Sequence, residues 1–152
     1  MWQRIQTVFL AIGIVSLIGA ILLPIWGTEE GGTVHRLYAL QYVTIKDGER
    51  SFEYIPYALT GILFIASITI AFIEIRKYKD RILQIKLGAL NSLILVGGYA
   101  AAVYFGSGFI KSSGGTYGLG IWLPAVAVLA NWLALRFIRR DERIVRDSNR
   151  LR

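Results

Sequence analysis

Three polar residues, Glu74, Asn91 and Asn131, lie in or beside long apolar stretches of the chain. Asn91 follows Lys86 by five residues and Asn131 precedes Arg136 by five, so antiparallel helices would hold both amides at a similar depth. An amide both donates and accepts hydrogen bonds, and such bonds join helices in lipid. We therefore expect a bond between the two asparagines. The functional alternative is that they line a polar pathway or a substrate site.

Glu74 is the only acidic residue close to the interior of an apolar stretch. An ionisable group at membrane depth is a functional candidate by default. It lies two residues before Arg76, however, where the stretch ends and where Lys86 or Arg136 could form an ion pair with it. The sequence thus leaves two interpretations for Glu74: a structural ion pair, or a polar track shared with the two asparagines.

Residues for catalysis and for cofactor or metal binding are scarce in this sequence. The chain has no cysteine and one histidine, His35, which excludes disulfides, thiolate chemistry and two-histidine metal sites. No Ser-His-Asp set, no paired carboxylates within an apolar stretch and no phosphate-binding Gly-Lys-Ser/Thr loop is present. Ser67, Thr69 and Ser92 can bond to carbonyls of their own helices. The sequence therefore predicts a protein that is not an enzyme and binds no cofactor or metal.

Arginines are concentrated in the C-terminal segment, beside apolar residues at seven-residue spacing that would form one stripe on a helix. Such a helix suits anionic lipid headgroups at the membrane surface, or a partner protein. The candidate contacts are Arg139, Arg140, Arg143, Arg146 and Arg150. The net charge of +7 would suggest nucleic acid in a soluble protein, but its placement favours the lipid interpretation and no nucleic acid.

Four stretches of about 19 residues or more contain no charged side chain: 7–28, 55–73, 87–110 and 112–135. A helix of ~20 apolar residues crosses the ~30 Å hydrocarbon core of a bilayer. The sequence predicts one domain, an antiparallel bundle of four transmembrane helices with spans at about 5–26, 55–75, 84–105 and 117–137. We expect the first stretch to remain as a span, because it exceeds the usual length of a signal-peptide core.

The charges divide unevenly between the two predicted sides of the membrane. One side holds 13 basic and 5 acidic residues, and the other holds 4 basic and 5 acidic residues. By the positive-inside rule both termini are cytoplasmic, and the segments 27–54 and 106–118 face outward. An even number of spans agrees with this orientation.

The outer segment 27–54 changes to the alternating period of β-strands. Residues 43–46 and 49–54 flank Asp47-Gly48, whose positive φ angles suit a two-residue hairpin turn. In this register Lys46 faces Glu49, and one apolar side could lie on the helix ends (Val43, Ile45, Phe52 and Tyr54). We expect a third strand at 33–38, a turn at 27–32, and Trp26 at the membrane interface.

The sequence also predicts the structure of two further segments. Residues 106–117, rich in glycine and serine, are expected to form a mobile connection. Residues 138–152 are expected to form the amphipathic cytoplasmic tail. Small residues four apart, at 97/101 and 98/102, allow close helix packing, either inside the bundle or between copies of the chain.

Both ends of the chain and the start of its fourth span resemble a family of small four-span membrane proteins from Bacteroidetes, which carries a domain-of-unknown-function label. The matching segments are the opening MWQRIQT, the sequence YGLGIWLP at 117–124, and the closing RRDE and VRDSNRLR. The resemblance covers essentially the full length. It implies the inner membrane of a Gram-negative cell and supplies no catalytic or binding residues.

Two functions are compatible with this sequence. The first is an accessory or scaffolding subunit of an inner-membrane assembly, with other membrane proteins or a second copy as partners. The alternative is a small transporter or channel component that uses Asn91, Asn131 and Glu74 as a polar track. These alternatives differ in whether the three side chains share one cavity or contact one another directly.

Overall fold

The computed structural model describes residues 3–150 of the chain, with side chains described for residues 5–146. The described residues form four long helices and five strands. The helices are α1 (Gln3–Leu22), α2 (Ala58–Arg76), α3 (Arg81–Ser113) and α4 (Leu123–Arg150). The strands are β1 (Trp26–Glu30), β2 (Thr33–Leu37), β3 (Tyr42–Lys46), β4 (Glu49–Glu53) and β5 (Thr116–Tyr117).

The helices form a bundle in which each helix packs against two neighbours. The contacting pairs are α1 with α2, α2 with α3, α3 with α4, and α4 with α1. The four-residue connection between α2 and α3 leaves room only for a reversal of direction, and Asp80 caps α3 by accepting a hydrogen bond from the Leu83 amide at 3.0 Å. The sheet joins the connections at the opposite end of the bundle.

The outer faces of the bundle are strongly apolar. All four helices are long and apolar enough to cross a membrane, yet only 22–44% of each apolar window is buried inside the protein. Val15, Leu93 and Leu129 are 69%, 72% and 62% exposed. Water would solvate such a continuous apolar surface poorly. The arrangement is compatible with a protein whose outer faces contact lipid.

Helix α3 has one continuous buried face, at the spacing of the helical repeat. It consists of Gln84, Gly88, Asn91, Leu95, Gly98, Ala102 and Gly106. Gly98 lies against α2, where an added methyl group would be 3.0 Å from the Phe64 ring. Gly97, next to it, has no atom within 4 Å of such a methyl group. The 98/102 pair therefore packs inside the bundle, whereas Gly97 faces outward.

The antiparallel sheet has the strand order β4-β3-β2-β1-β5. The predicted hairpin and its register are confirmed: Lys46 pairs with Glu49 and Val43 with Phe52. Asp47 and Gly48, at φ +51° and +85°, form the turn. The expectation that the hairpin's whole apolar side covers the helices is wrong, because Phe52 is 47% exposed and Tyr54 55%. The outer strand β4 thus stands clear of the bundle.

The first part of the outer segment differs from the prediction of a turn at 27–32. Residues Trp26–Glu30 form β1, and the turn needs only Gly31 and Gly32, which both take positive φ angles. β1 also pairs with β5, so the sheet extends beyond the predicted 27–54 loop and takes a strand from the connection between α3 and α4. Trp26, expected at the membrane interface, is fully buried within the protein, and its indole N–H donates to the Gly114 carbonyl at 2.9 Å.

The predicted mobile connection at 106–117 is also wrong. Helix α3 continues through this segment to Ser113, well beyond the predicted span of 84–105, and ends at Gly114 with φ +65°. Gly106 is buried, because only its lack of a side chain leaves room for the Tyr117 ring and Ile25. Here glycine and serine serve close packing of a helix rather than mobility.

The fourth span and the tail form one helix. α4 begins at Leu123, after a short 3₁₀ turn (Leu119–Ile121), and runs to Arg150, so the predicted tail continues the helix of the fourth span. Ile138 packs inside the bundle, whereas Ile144 and Val145 are 56% and 42% exposed. The predicted apolar stripe is thus only partly covered; Leu151, its last member, lies outside the described residues.

Candidate functional site

A layer of hydrogen-bonded polar side chains crosses the middle of the bundle. Ser67 of α2 donates to Asn91 Oδ1 at 2.6 Å, and Asn91 Nδ2 donates to Asn131 Oδ1 at 3.2 Å. Asn131 Nδ2 donates in turn to Ser92 Oγ at 2.8 Å and to the Gly88 carbonyl at 3.2 Å. We call Ser67, Asn91, Ser92 and Asn131 the polar layer. It joins α2, α3 and α4.

Ser67, Asn91 and Asn131 leave almost no open space between them, whereas Ser92 also lines a groove on the outer face. A cavity of about 10 Å³ lies beside Ser67, Asn91 and Asn131. A cavity of this size is at the lower limit for one water molecule. The two asparagines therefore contact each other directly, and their hydrogen bonds hold helices together rather than facing a ligand-sized space.

Glu74 lies near this layer without joining it. Its side chain is fully buried, and neither carboxylate oxygen has a hydrogen-bond partner among the described residues. The ion pair expected with Lys86 or Arg136 is therefore not formed. The physical reason is the helix phase: Glu74 follows Thr60, Phe64, Ser67 and Ala71 on the buried face of α2 and so points inward, away from the surface cations.

Gln84 is a buried polar residue that contacts the backbone of Glu74. Its side-chain N–H donates to the Glu74 backbone carbonyl at 2.9 Å, whereas its Oε1 is buried without a partner. Gly88 makes room for the carboxylate, since an added methyl group there would be 3.0 Å from Glu74 Oε1 and 2.9 Å from Leu135 Cγ. We call Glu74 and Gln84 the acceptor pair, because three of their oxygens are buried and unsatisfied.

A groove on the outer face between α3 and α4 gathers basic residues. Its volume is about 740 Å³, and it is lined by Ala89, Ser92, Trp132, Leu135, Arg136, Arg139, Arg140 and Arg143. We call it the arginine groove. Three of the predicted headgroup contacts lie here: Arg139, Arg140 and Arg143. Arg146 is exposed but does not line the groove, and the side chain of Arg150 lies outside the described residues.

At the sheet end, aromatic rings join the strands to the helices. Phe109 stacks on Trp26 and on Tyr42, each with centroids 4.9 Å apart. The Tyr42 hydroxyl is 2.9 Å from His35 Nδ1, so His35 is a strand residue with a structural contact. Burial, together with the nearby Glu53 charge, raises the pKa of Tyr42, although a Thr44 hydrogen bond opposes this. The phenol therefore stays neutral at neutral pH.

The profile of one protein family matches residues 2–151, and its description is "Domain of unknown function (DUF4293)". The chain belongs to this family. No protein with a curated description matches it. Membership in the DUF4293 family covers nearly the whole chain, so the bundle, the sheet and the arginine groove all lie within the family's domain.

The arrangement of these side chains in this DUF4293 protein limits the chemistry available. Within the described part of the chain, no group of three His, Asp or Glu residues is placed to hold a metal ion. The polar layer can bind helices together. The acceptor pair can accept a proton or a cation, and the arginine groove can bind an anion.

Two members of these sites, Gln84 and Ser67, were not predicted as such, and the helical repeat could have found the first. Gln84 precedes Gly88, Asn91 and Leu95 at spacings of four, three and four, so it belongs to the same buried face. The charges around it, at Arg81 and Lys86, conceal this periodicity. Ser67 was expected to bond to its own helix; instead it donates to Asn91 Oδ1. Only the packing of α2 on α3 reveals that bond.

Proposed function

We propose that this protein is a non-enzymatic integral protein of a bacterial inner membrane and an accessory or scaffolding subunit of a membrane complex. The proposal rests on the observation that the side chains of the polar layer form hydrogen bonds with one another. Ser67, Asn91 and Asn131 join three helices and leave no ligand-sized space between them. A bundle that uses its polar groups for its own cohesion is suited to presenting surfaces to other proteins.

Two surfaces are available for such partners, at opposite ends of the bundle. The edge strand β4 is exposed along all five residues, and within the described part of the chain its outer side has no strand partner. The second surface is the outer end of α4, where Arg143, Ile144 and Arg146 are exposed. An exposed edge can pair with a strand of another chain, and a basic helix can bind acidic groups.

The charge distribution supports an orientation with both termini in the cytoplasm and the sheet in the periplasm. The resemblance of both chain ends supports a source among the Bacteroidetes. In this orientation β4 meets periplasmic domains, and α4 meets cytoplasmic domains or lipid headgroups.

The proposal is tested by purification from the native membrane in a mild detergent, followed by mass spectrometry. We expect a stoichiometric membrane-protein partner, or a second copy. Phe52→Asp alters the surface of β4, and Ile144→Asp alters the surface of α4. The variant that loses the partner identifies the surface that contacts it. Thr69→Ala, in α2, is the control and should leave the complex intact. A monomer without a stoichiometric partner would contradict the proposal.

The alternative proposal is a small transporter or channel component. The unsatisfied oxygens of Glu74 favour it, since they could accept a proton or a cation during transport. The direct contact between Asn91 and Asn131 opposes it. Ion flux into proteoliposomes discriminates the two: flux that Glu74→Gln abolishes would support transport, and absence of flux supports the accessory role.

A further inference from the structure

The arginine groove combines an apolar part with a cationic part. Ala89 and Ser92 of α3 and Trp132 and Leu135 of α4 form the first part, and four arginines of α4 form the second. The volume of about 740 Å³ lies within the ~300–1,000 Å³ typical of small-molecule sites. The groove therefore has room for an amphiphilic ligand with an anionic group.

The arginines lie on one face of α4. Residues 136, 139, 140 and 143 follow the helical spacing of three and four, so their side chains project toward the same region. Among the described side chains no acidic one lines the groove; Asp141 and Glu142 are absent from its lining. Guanidinium groups bind phosphate through paired N–H donors, which makes this face complementary to a phosphodiester.

The position of the groove along the helices matches the surface of a membrane. Leu135 ends a charge-free stretch that begins at Ser112, and Arg136 is the first charge after it. Trp132 is 55% exposed just inside this boundary, a level that indole rings favour. The Arg136 guanidinium carbon lies 5.6 Å from the centroid of the Trp132 ring. Apolar residues thus face the hydrocarbon, and arginines face the phosphate level.

We propose that the arginine groove is a binding site for one anionic phospholipid of the cytoplasmic leaflet. Its phosphate contacts Arg136, Arg139 and Arg143, and its acyl chains run along Trp132, Leu135 and Ala89. The proposal rests on the membrane location given under the proposed function, and it is independent of any protein partner. Zwitterionic lipids carry an amine beside the phosphate, so the cationic lining selects against them.

Native mass spectrometry of the detergent-purified protein tests the site, with phosphatidylglycerol and phosphatidylethanolamine as probes. We expect one tightly bound phosphatidylglycerol and at least tenfold weaker binding of phosphatidylethanolamine. The triple variant Arg136→Gln, Arg139→Gln, Arg143→Gln should weaken phosphatidylglycerol binding at least tenfold. A control triple variant at the end of α2 and in the connection that follows it (Arg76→Gln, Lys77→Gln, Lys79→Gln) removes the same charge at the same end of the bundle and should change phosphatidylglycerol binding less than twofold.

Three outcomes would overturn the lipid site. The first is equal binding of the two lipids; the second is equal loss in both triple variants, which would indicate bulk charge attraction. The third is displacement of the lipid by millimolar inorganic phosphate, which would assign the groove to a soluble anion. If the triple variant does not fold, Arg139→Gln alone should still lower the affinity, and an unchanged affinity would contradict the proposal.

The experiments distinguish failure of the lipid site from failure of the proposed function. A protein that stays soluble without detergent would end both proposals. A protein that needs detergent but does not distinguish the lipids would end only the lipid site. Retention of an acidic protein segment in the groove, in place of lipid, would overturn the site while supporting the accessory role.

Discussion

Asn91 and Asn131 are buried polar residues whose hydrogen bonds are made inside the protein. The bond between them joins α3 to α4, and Ser67 extends the connection to α2. In membrane bundles a bond of this kind contributes about 0.6–2 kcal/mol. The three helices are thus held together at one level by directional contacts, in addition to the packing of apolar side chains.

Replacement of Asn131 should show how far the stability contributions of Asn91 and Asn131 depend on each other. Asn131→Leu leaves Asn91 Nδ2 without its acceptor, so we expect a loss of about 1–3 kcal/mol in the free energy of unfolding. The double variant Asn91→Leu, Asn131→Leu removes both partners and should lose less than the sum of the single variants. Unfolding in mixed micelles measures these values. Strictly additive losses would mean that the two amides do not interact.

Glu74 should have the opposite effect, because its carboxylate is buried without a partner. Glu74→Met keeps the length of the side chain and removes the unsatisfied oxygens, so we expect stabilisation by about 1–3 kcal/mol. Glu53→Met, on the exposed strand β4, is the control and should stay within about 0.5 kcal/mol. Destabilisation by Glu74→Met would show that the carboxylate has a bound proton donor or cation.

The sequence placed the two asparagines at one depth because flanking charges mark the ends of the spans. It could not assign a partner to Glu74 on the same grounds, since the distance to Arg76 gives depth but not direction. Direction comes from the helix phase, and the buried face of α2 turns Glu74 inward. For an isolated ionisable residue, the periodicity around it is therefore more informative than the nearest charge.

At the level of elements, the adjacent glycines of α3 have different surroundings. Gly98 faces Phe64 and Leu63 of α2, whereas a methyl group added at Gly97 would face outward and meet no neighbouring element within 4 Å. The same substitution should therefore have opposite effects at the two positions.

Gly98→Ala should destabilise the protein by about 1–3 kcal/mol, because its methyl group would overpack the contact with α2. Gly97→Ala should stabilise it by about 0.5–1 kcal/mol, because alanine loses less backbone entropy in a helix. Thermal unfolding of the two variants in one detergent gives a direct comparison. Equal effects at both positions would contradict the assigned packing of α3 on α2.

The strands show where local sequence is sufficient and where it is not. The β3–β4 hairpin was predictable, because Asp47-Gly48 and the alternating residues around it act locally. β1 forms a local hairpin with β2 around Gly31-Gly32, a turn signal that the sequence does show. β5 was not predictable, because it is only two residues long and its pairs with β1, 27 to 116 and 26 to 117, span 89 and 91 residues. Trp26 gains its buried site and its bond to Gly114 only when that pairing exists.

For the whole molecule, the structure separates two ends with different character. The sheet and the aromatic cluster form one end; the connection between α2 and α3 and the arginine groove form the other. The composition of the chain and its charge asymmetry predict this layout well, since length, hydropathy and charge act over whole segments. The hydrogen bonds of the polar layer depend on how three helices pack together. The pattern of residues along the chain does not specify that packing.

The account depends most on a chain that crosses the membrane four times, with its sheet outside the cytoplasm and both termini inside. The chain contains no cysteine, so single-cysteine variants report one position each. Glu49→Cys places a thiol on β4, and Lys79→Cys places one in the connection between α2 and α3. In intact spheroplasts, a membrane-impermeant maleimide should label the variant at 49 and should reach the variant at 79 only after lysis. Labelling of position 79 in intact spheroplasts, or protection of position 49, would contradict the account.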